Sequence, residues 1–187
     1  RPRYRLLETI RQFAHAQLDA AEEVAAVRDR HLAWARELTT AAEPELTGRA
    51  QAEWLDLLED EHDNLRAAAD WATATRDGAT LWAMAGHLAF FWVLHGHFVD
   101  AVHVVERAQE LSDGVPEAMQ LAGRWASAYV ALYAGAYERG YVEALEVIER
   151  ASALGDDRIL GRALDTLATI EMFIDLIGAR AHLEQAI

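Results

Sequence analysis

Along most of this chain the apolar positions recur every three to four residues, the spacing of one face of an α-helix rather than the alternation of a strand. The densest such stretch, residues 84–111 (MAGHLAFFWVLHGHFVDAVHVVERAQEL), predicts two helices folded back on each other. A run rich in apolar residues ends in Phe90, Phe91 and Trp92, and the turn falls at Gly96. Beyond it Ala101, Val105 and Ala108 follow at i, i+4 and i+7. Small side chains at Ala101 and Ala108 let two backbones approach closely, while Trp92 fills the space between them. The pattern is that of a helical hairpin repeat.

The remaining pattern predicts more of the same. Residues 3–8 begin with polar and apolar alternation and read as a short strand left over from something upstream, with Arg1 looking like a cut. Thr9 with Gln12 has capping-box spacing and predicts a helix over 10–18. Asp19 with Glu22 repeats the signal for a helix over 22–42 with a stripe of Val24, Val27, His31, Trp34 and Leu38, closed by a loop at Pro44 and Gly48. A third segment, 50–75, keeps Trp54, Leu58, Leu65 and Ala69 on one face. It is expected to break near residue 62, where like charges crowd and Asp63 and Asn64 offer caps.

Two hairpins are predicted next, at 79–95 with 97–112 and at 116–138 with 140–154. A third would begin with 157–176 and continue near Gly178. Ala101, Ala144 and Ala179 are read as equivalent positions, each followed seven residues later by Ala108, Ala151 and Ala186. Of their spacings of 43 and 35 residues, the second is close to the ~34 of a tetratricopeptide unit, and the longer first implies longer helices. Ile174 stands where a turn glycine would be expected. The organisation expected is therefore 1–21 as the tail of an upstream domain, 22–78 as a helical linker or cap, and 79–187 as about two and a half hairpins. The fold class is all-α.

Composition narrows the chemistry. The chain has 187 residues, 52% hydrophobic and 26% charged, long enough for one substantial core. It has no cysteine, which excludes disulfides and thiolate chemistry and fits a reducing compartment. No apolar run reaches the ~20 residues of a membrane span, and the first residues lack the apolar core of a signal peptide, so a cytoplasmic location is expected. The formal charge is −14, and all 17 basic residues are arginine. Such acidity argues against binding a phosphate backbone, which needs clustered cations.

Four histidines, His87, His95, His97 and His103, lie within seventeen residues. They lack both the HExxH pattern and an i, i+4 pair with a carboxylate, so turn-capping and packing roles are expected rather than a metal. His31 falls on an apolar stripe and reads as a core or boundary residue. Six acids at 53, 56, 59, 60, 61 and 63 spread around a helix and read as a solvated face, or as a docking surface for a basic partner. The three serines, Ser112, Ser127 and Ser152, have no nucleophile-elbow setting. Trp125, Tyr129 and Tyr133 step along one helix at i, i+4 and i+8, with Tyr137 and Tyr141 near the turn. Aromatics with polar tips suit a partly wet binding surface, although an inter-helix core is the first expectation and a groove the alternative.

Two blocks carry a family resemblance. RYRLLETIRQFAHAQL at 3–18 and WLDLLEDEHDNLRAAADWA at 54–72 resemble the region after the ATPase module in bacterial signal-transduction ATPase (STAND) regulators of the AfsR and LuxR types, and GARAHLEQAI at 178–187 resembles the second helix of one of their repeats. The resemblance implies the end of a winged helix followed by a tetratricopeptide-like superhelix. It further implies a non-catalytic module that senses an effector or docks a protein, peptide or neighbouring domain, with ATP and Mg²⁺ handled upstream. No catalytic residue, cofactor, nucleic acid or membrane contact is expected here; some self-association through truncated ends is. The competing readings are a stand-alone helical enzyme using carboxylates or a metal, and a purely structural dimerising scaffold.

Overall fold

Five chain reversals share one geometry. At each, an amide closes back onto a carbonyl five residues earlier: Glu23 onto Leu18 (3.0 Å), Asp77 onto Ala72 (2.8 Å), His97 onto Trp92 (2.8 Å), Ala136 onto Ala131 (2.9 Å) and Asp156 onto Ala151 (2.9 Å). The residue before each closing amide is left-handed, at φ 58° for Glu22, 57° for Arg76, 77° for Gly96, 78° for Gly135 and 69° for Gly155. This closure satisfies carbonyls that the last helical turn leaves without a partner.

The computed structural model describes residues 8–185, with side chains described over 9–175 except at Arg11, His15, Ala16 and Asp19. Among these residues the elements are α1 (Glu8–Ala20), α2 (Val24–Glu45), α3 (Gln51–Asp60), α4 (His62–Ala74), α5 (Gly78–His95), α6 (Phe98–Glu110), α7 (Glu117–Tyr133), α8 (Tyr137–Leu154) and α9 (Asp157–Gln185). The described chain is all-α. No described helix is long and apolar enough to cross a membrane.

The helices form two layers. α2, α5, α7 and α9 lie side by side in one, and α4, α6 and α8 pack against them in the other. The seam between α5 and α7 is close-packed. A Cβ added at Gly86 would lie 2.7 Å from the Ala122 Cβ, and one at Gly123 would lie 2.5 Å from the Trp82 ring. Ala85, Ala89 and Ala126 are fully buried along the same seam. Small residues at 85, 86 and 89 thus face their counterparts at 122, 123 and 126, and the backbones come together without a gap. Trp82 and Trp125 fill the flanks. Each donates its indole N–H to a hydroxyl on another helix or at its end: Ser112 for Trp82 and Thr166 for Trp125, both at 3.2 Å.

The recurring alanines behave as close-packing positions. Ala101, Ala108, Ala144 and Ala151 are fully buried, and Trp92 is 2% exposed. Their register differs from expectation. The second turn is at Gly135, 39 residues after Gly96, so Gly140 rather than Ala144 matches Ala101. A Cβ at Gly140 would press to 3.2 Å of the Ala128 carbonyl oxygen, which explains why this position lacks even a methyl group.

Other expectations are corrected. α7 stops at Tyr133, so Tyr137 opens α8 instead of extending the ladder helix. α9 runs through residues 177–178 without the turn of a third hairpin; Ile174 stands where a turn glycine was expected, and Gly178 continues the helix. Ala179 lies on α9 with its side chain outside the described residues, and Ala186 lies outside them altogether. The strand expected at 3–8 also falls outside, except that Glu8 begins α1.

Thr9 therefore sits inside a helix and not at its cap, and Asp19 is still helical. Pro44 is accommodated in the last turn of α2. The buried stripe of α2 is Leu32, Ala35, Thr39 and Ala42, one position off the expected one, because small residues take the close contacts. His31 and Trp34 instead stack on each other at the edge, centroids 5.3 Å apart. The break between α3 and α4 falls at Glu61, as the charge crowding predicts, with Asp63 in the first turn of α4 rather than at its cap. Residues of α2, α3 and α4 share one core with α5 and α6, so 22–78 is packed continuously with the first hairpin.

Candidate functional site

Two polar clusters stand out. The first lies on the layer of α2, α5, α7 and α9. Phe90 on α5 meets Trp125 and Tyr129 on α7 at centroid distances of 5.5 and 5.1 Å, and Tyr129 meets Tyr133 at 4.9 Å. The ladder climbs from interior to surface: Trp125 is 1% exposed and Tyr133 is 49% exposed. Burial, reinforced by Tyr133, pushes the Tyr129 phenol well above its ordinary range, so it stays a neutral hydroxyl. Tyr137 stacks on Phe173 of α9 at 5.7 Å, away from the ladder.

A charged lid covers the buried end of that ladder. The Arg162 guanidinium lies 4.8 Å over Trp125 and 5.5 Å over Phe90, within cation–π range. Arg162 and Arg158 of α9 both pair with Glu43 of α2, at 2.8 and 2.6 Å. These partners sit on the two outer helices of the layer, α2 and α9, and their long side chains bridge across α5 and α7. Burial alone would raise the Glu43 carboxyl, but the Arg162 hydrogen bond and the charges of Arg162, Arg158 and His87 hold it below the usual range. His87 reaches the same lid, with Nδ1 3.4 Å from the Thr39 hydroxyl, and burial lowers its pKa.

The second cluster lies where the break between α3 and α4 meets the turn between α5 and α6. Gly96 in its left-handed cap turns His95 and His97 to the same side. His95 Nδ1 is 2.9 Å and His97 Nε2 is 2.7 Å from one and the same oxygen, Oε2 of Glu59. The His97 hydrogen bond, above all, lowers the Glu59 carboxyl. Behind them His62, the first residue of α4, packs its ring 3.8 Å from that of His97 and lies 3.3 Å from Asp100. Its Nε2 is buried and makes no hydrogen bond. Burial first, and His97 second, lower the His62 pKa against the opposing charge of Asp100, whose Oδ2 is the carboxylate oxygen 3.3 Å from that nitrogen.

The floor under all three imidazoles is Phe91, fully buried, at centroid distances of 5.7 Å from His62 and 5.2 Å from each of His95 and His97. Beside the cluster, a cavity of about 180 Å³ opens between α4, α5 and α6, floored by Met84, Leu88 and Trp92 and rimmed by His62, Asp100 and His103. Ion pairs of Arg66 with Asp100 (3.1 Å) and Arg107 with Asp70 (2.6 Å) close its rim.

Of the four histidines grouped by the sequence, only His95 and His97 come together; His87 joins the Glu43 lid and His103 only rims the cavity. Glu59 and His62 were hidden in an acidic run. The signal for them was the predicted break near 62, since a break is what lets two helices aim side chains at one point. Among the serines, Ser112 accepts from Trp82 and donates to the Ala108 carbonyl, a packing role.

Comparison with known protein families, characterised proteins and solved structures returns no match. The functional reading therefore rests on the residues and their geometry.

Proposed function

We propose that this chain is a non-catalytic helical-repeat module that recognises a protein, a peptide or a neighbouring domain, or senses a small effector, within a multidomain ATPase transcriptional regulator of the AfsR and LuxR types. The observation that carries this reading is the aromatic ladder on the α2, α5, α7, α9 layer. It is anchored rigidly by Trp125 under Arg162, and it ends in the half-exposed, polar-tipped Tyr133. A rigid aromatic anchor with a wet tip is the kind of feature that dominates recognition surfaces. The sequence blocks at 54–72 and 178–187 supply the family, in which the nucleotide would be bound by an upstream domain in the cytoplasm.

With a charge of −14 the module makes no contact with nucleic acid or an anionic membrane in this reading. The test is selection of displayed peptides against the immobilised chain, repeated with Tyr133→Ala. Selected peptides that lose affinity at least about tenfold on that change, with helical circular dichroism intact, support the reading. Peptides indifferent to Tyr133→Ala, or tight ATP or duplex-DNA binding by the purified chain, refute it.

A further inference from the structure

We propose that Glu59, His95 and His97 bind one divalent transition-metal ion of the zinc class, independently of the role proposed above. Two imidazole nitrogens and a carboxylate oxygen are the ligand set of three-donor zinc centres, which leave a fourth position open. Here the three donor atoms lie within 4.8 Å of one another. At metal–ligand bonds near 2.0–2.1 Å, donors of a tetrahedral ion sit about 3.3 Å apart. The present separations of 2.9 and 2.7 Å from the Glu59 oxygen need to open by only a few tenths of an ångström.

Convergence alone is not the whole case. One carboxylate oxygen serves two imidazoles, so in the metal-free arrangement each ring must donate to the same point, where a cation would satisfy all three groups. One step inward His62, His97 and Asp100 gather in the same way, with the buried Nε2 of His62 3.3 Å from Asp100 but in no well-directed hydrogen bond, so further potential ligand atoms stand beside His97. Phe91 fixes the three rings from beneath and keeps water from that side, as an apolar shell does around metal ligands. The strongly acidic chain raises the local concentration of cations at its surface. Imidazole with carboxylate favours zinc, iron or nickel over calcium or magnesium, whose sites are all oxygen.

An ion held here would tie the end of α3 to the turn between α5 and α6, so that occupancy reports on how two hairpins sit together. This proposal departs from the sequence expectation of no metal.

The experiment is calorimetric titration of Zn²⁺ into tag-free chain stripped of metal, with Co²⁺ absorption as a geometric readout. One equivalent should bind with micromolar or tighter affinity, and the Co²⁺ form should show the intense visible bands of tetrahedral coordination. Glu59→Gln, and His95→Ala combined with His97→Ala, should each weaken binding at least about tenfold, while His103→Ala stays within about twofold of the parent. Glu59 is half exposed, so Glu59→Gln remains informative even where the double histidine variant fails to fold. Absence of saturable binding overturns the proposal. So does binding that survives Glu59→Gln unchanged, or that falls equally in His103→Ala.

Discussion

The lid over Trp125 and the histidine cluster beside Gly96 use similar ingredients to opposite ends. In the lid, one carboxylate, Glu43, is neutralised by two arginines whose charge never titrates, and the cation of Arg162 is seated on aromatic faces. Every group has a partner, and the lid joins α2 to α9 across the whole layer. In the cluster, one carboxylate is shared by two imidazoles, and a third imidazole has a buried nitrogen that faces Asp100 at 3.3 Å without a well-directed hydrogen bond. The difference teaches that fixed cations close a polar site and stabilise the fold, whereas imidazoles around a shared acid leave capacity for a ligand.

Changes at the lid should therefore cost stability, and changes at the cluster should not. The largest effect is expected from Trp125→Ala, which empties the ladder beneath Arg162; denaturant unfolding should show a loss of ~3–5 kcal/mol. Next comes Arg162→Met, which leaves Glu43, 19% exposed, with Arg158 alone and removes the cation from Trp125. A loss of about 1–3 kcal/mol is expected, partly recovered by adding Glu43→Gln, since the unpaired charge is the costly part. By contrast Glu59→Gln in metal-free protein should change stability by less than about 1 kcal/mol, because the acid is half exposed.

Smallest is a pH effect that belongs to the lid. His87 faces Glu43, Arg158, Arg162 and the Thr39 hydroxyl, and burial lowers its pKa from 6.5. The unfolded chain takes up the proton first. The stability of keeping His87 neutral is thus complete above pH 6.5 and is lost as pH falls through that value toward the lowered one in the folded state. Unfolding followed from pH 7.5 to 5.5 should show this decline, and His87→Gln should flatten it.

How much of this was legible beforehand follows from what each signal depends on. Helical periodicity and the glycine at 96 located the first hairpin within a residue or two, because a left-handed cap and an apolar face are local properties. The second turn was misplaced because Gly140 looks like a turn residue in sequence, yet its role is to let α8 lie against α7; Gly135 carries the positive φ. The same ambiguity hid Gly86 and Gly123, whose paired Ala-Gly spacing on two helices was the available clue. The candidate sites were legible only in halves. His95 and His97 were visible as neighbours, but Glu59 lies 36 residues from His95 and was masked by five other acids. The ladder from Trp125 to Tyr133 was visible on one helix, while its lid joins residues 115 apart. Tertiary partners at such distances leave no periodic trace in a single sequence.

Amide hydrogen exchange on the tag-free chain, with and without one equivalent of Zn²⁺, tests the contrast between the closed lid and the open cluster most directly. The account predicts added protection confined to the break between α3 and α4 and to the turn between α5 and α6, with α7 and α9 unchanged. Protection that is absent, or that spreads evenly through α7 and α9, would contradict it.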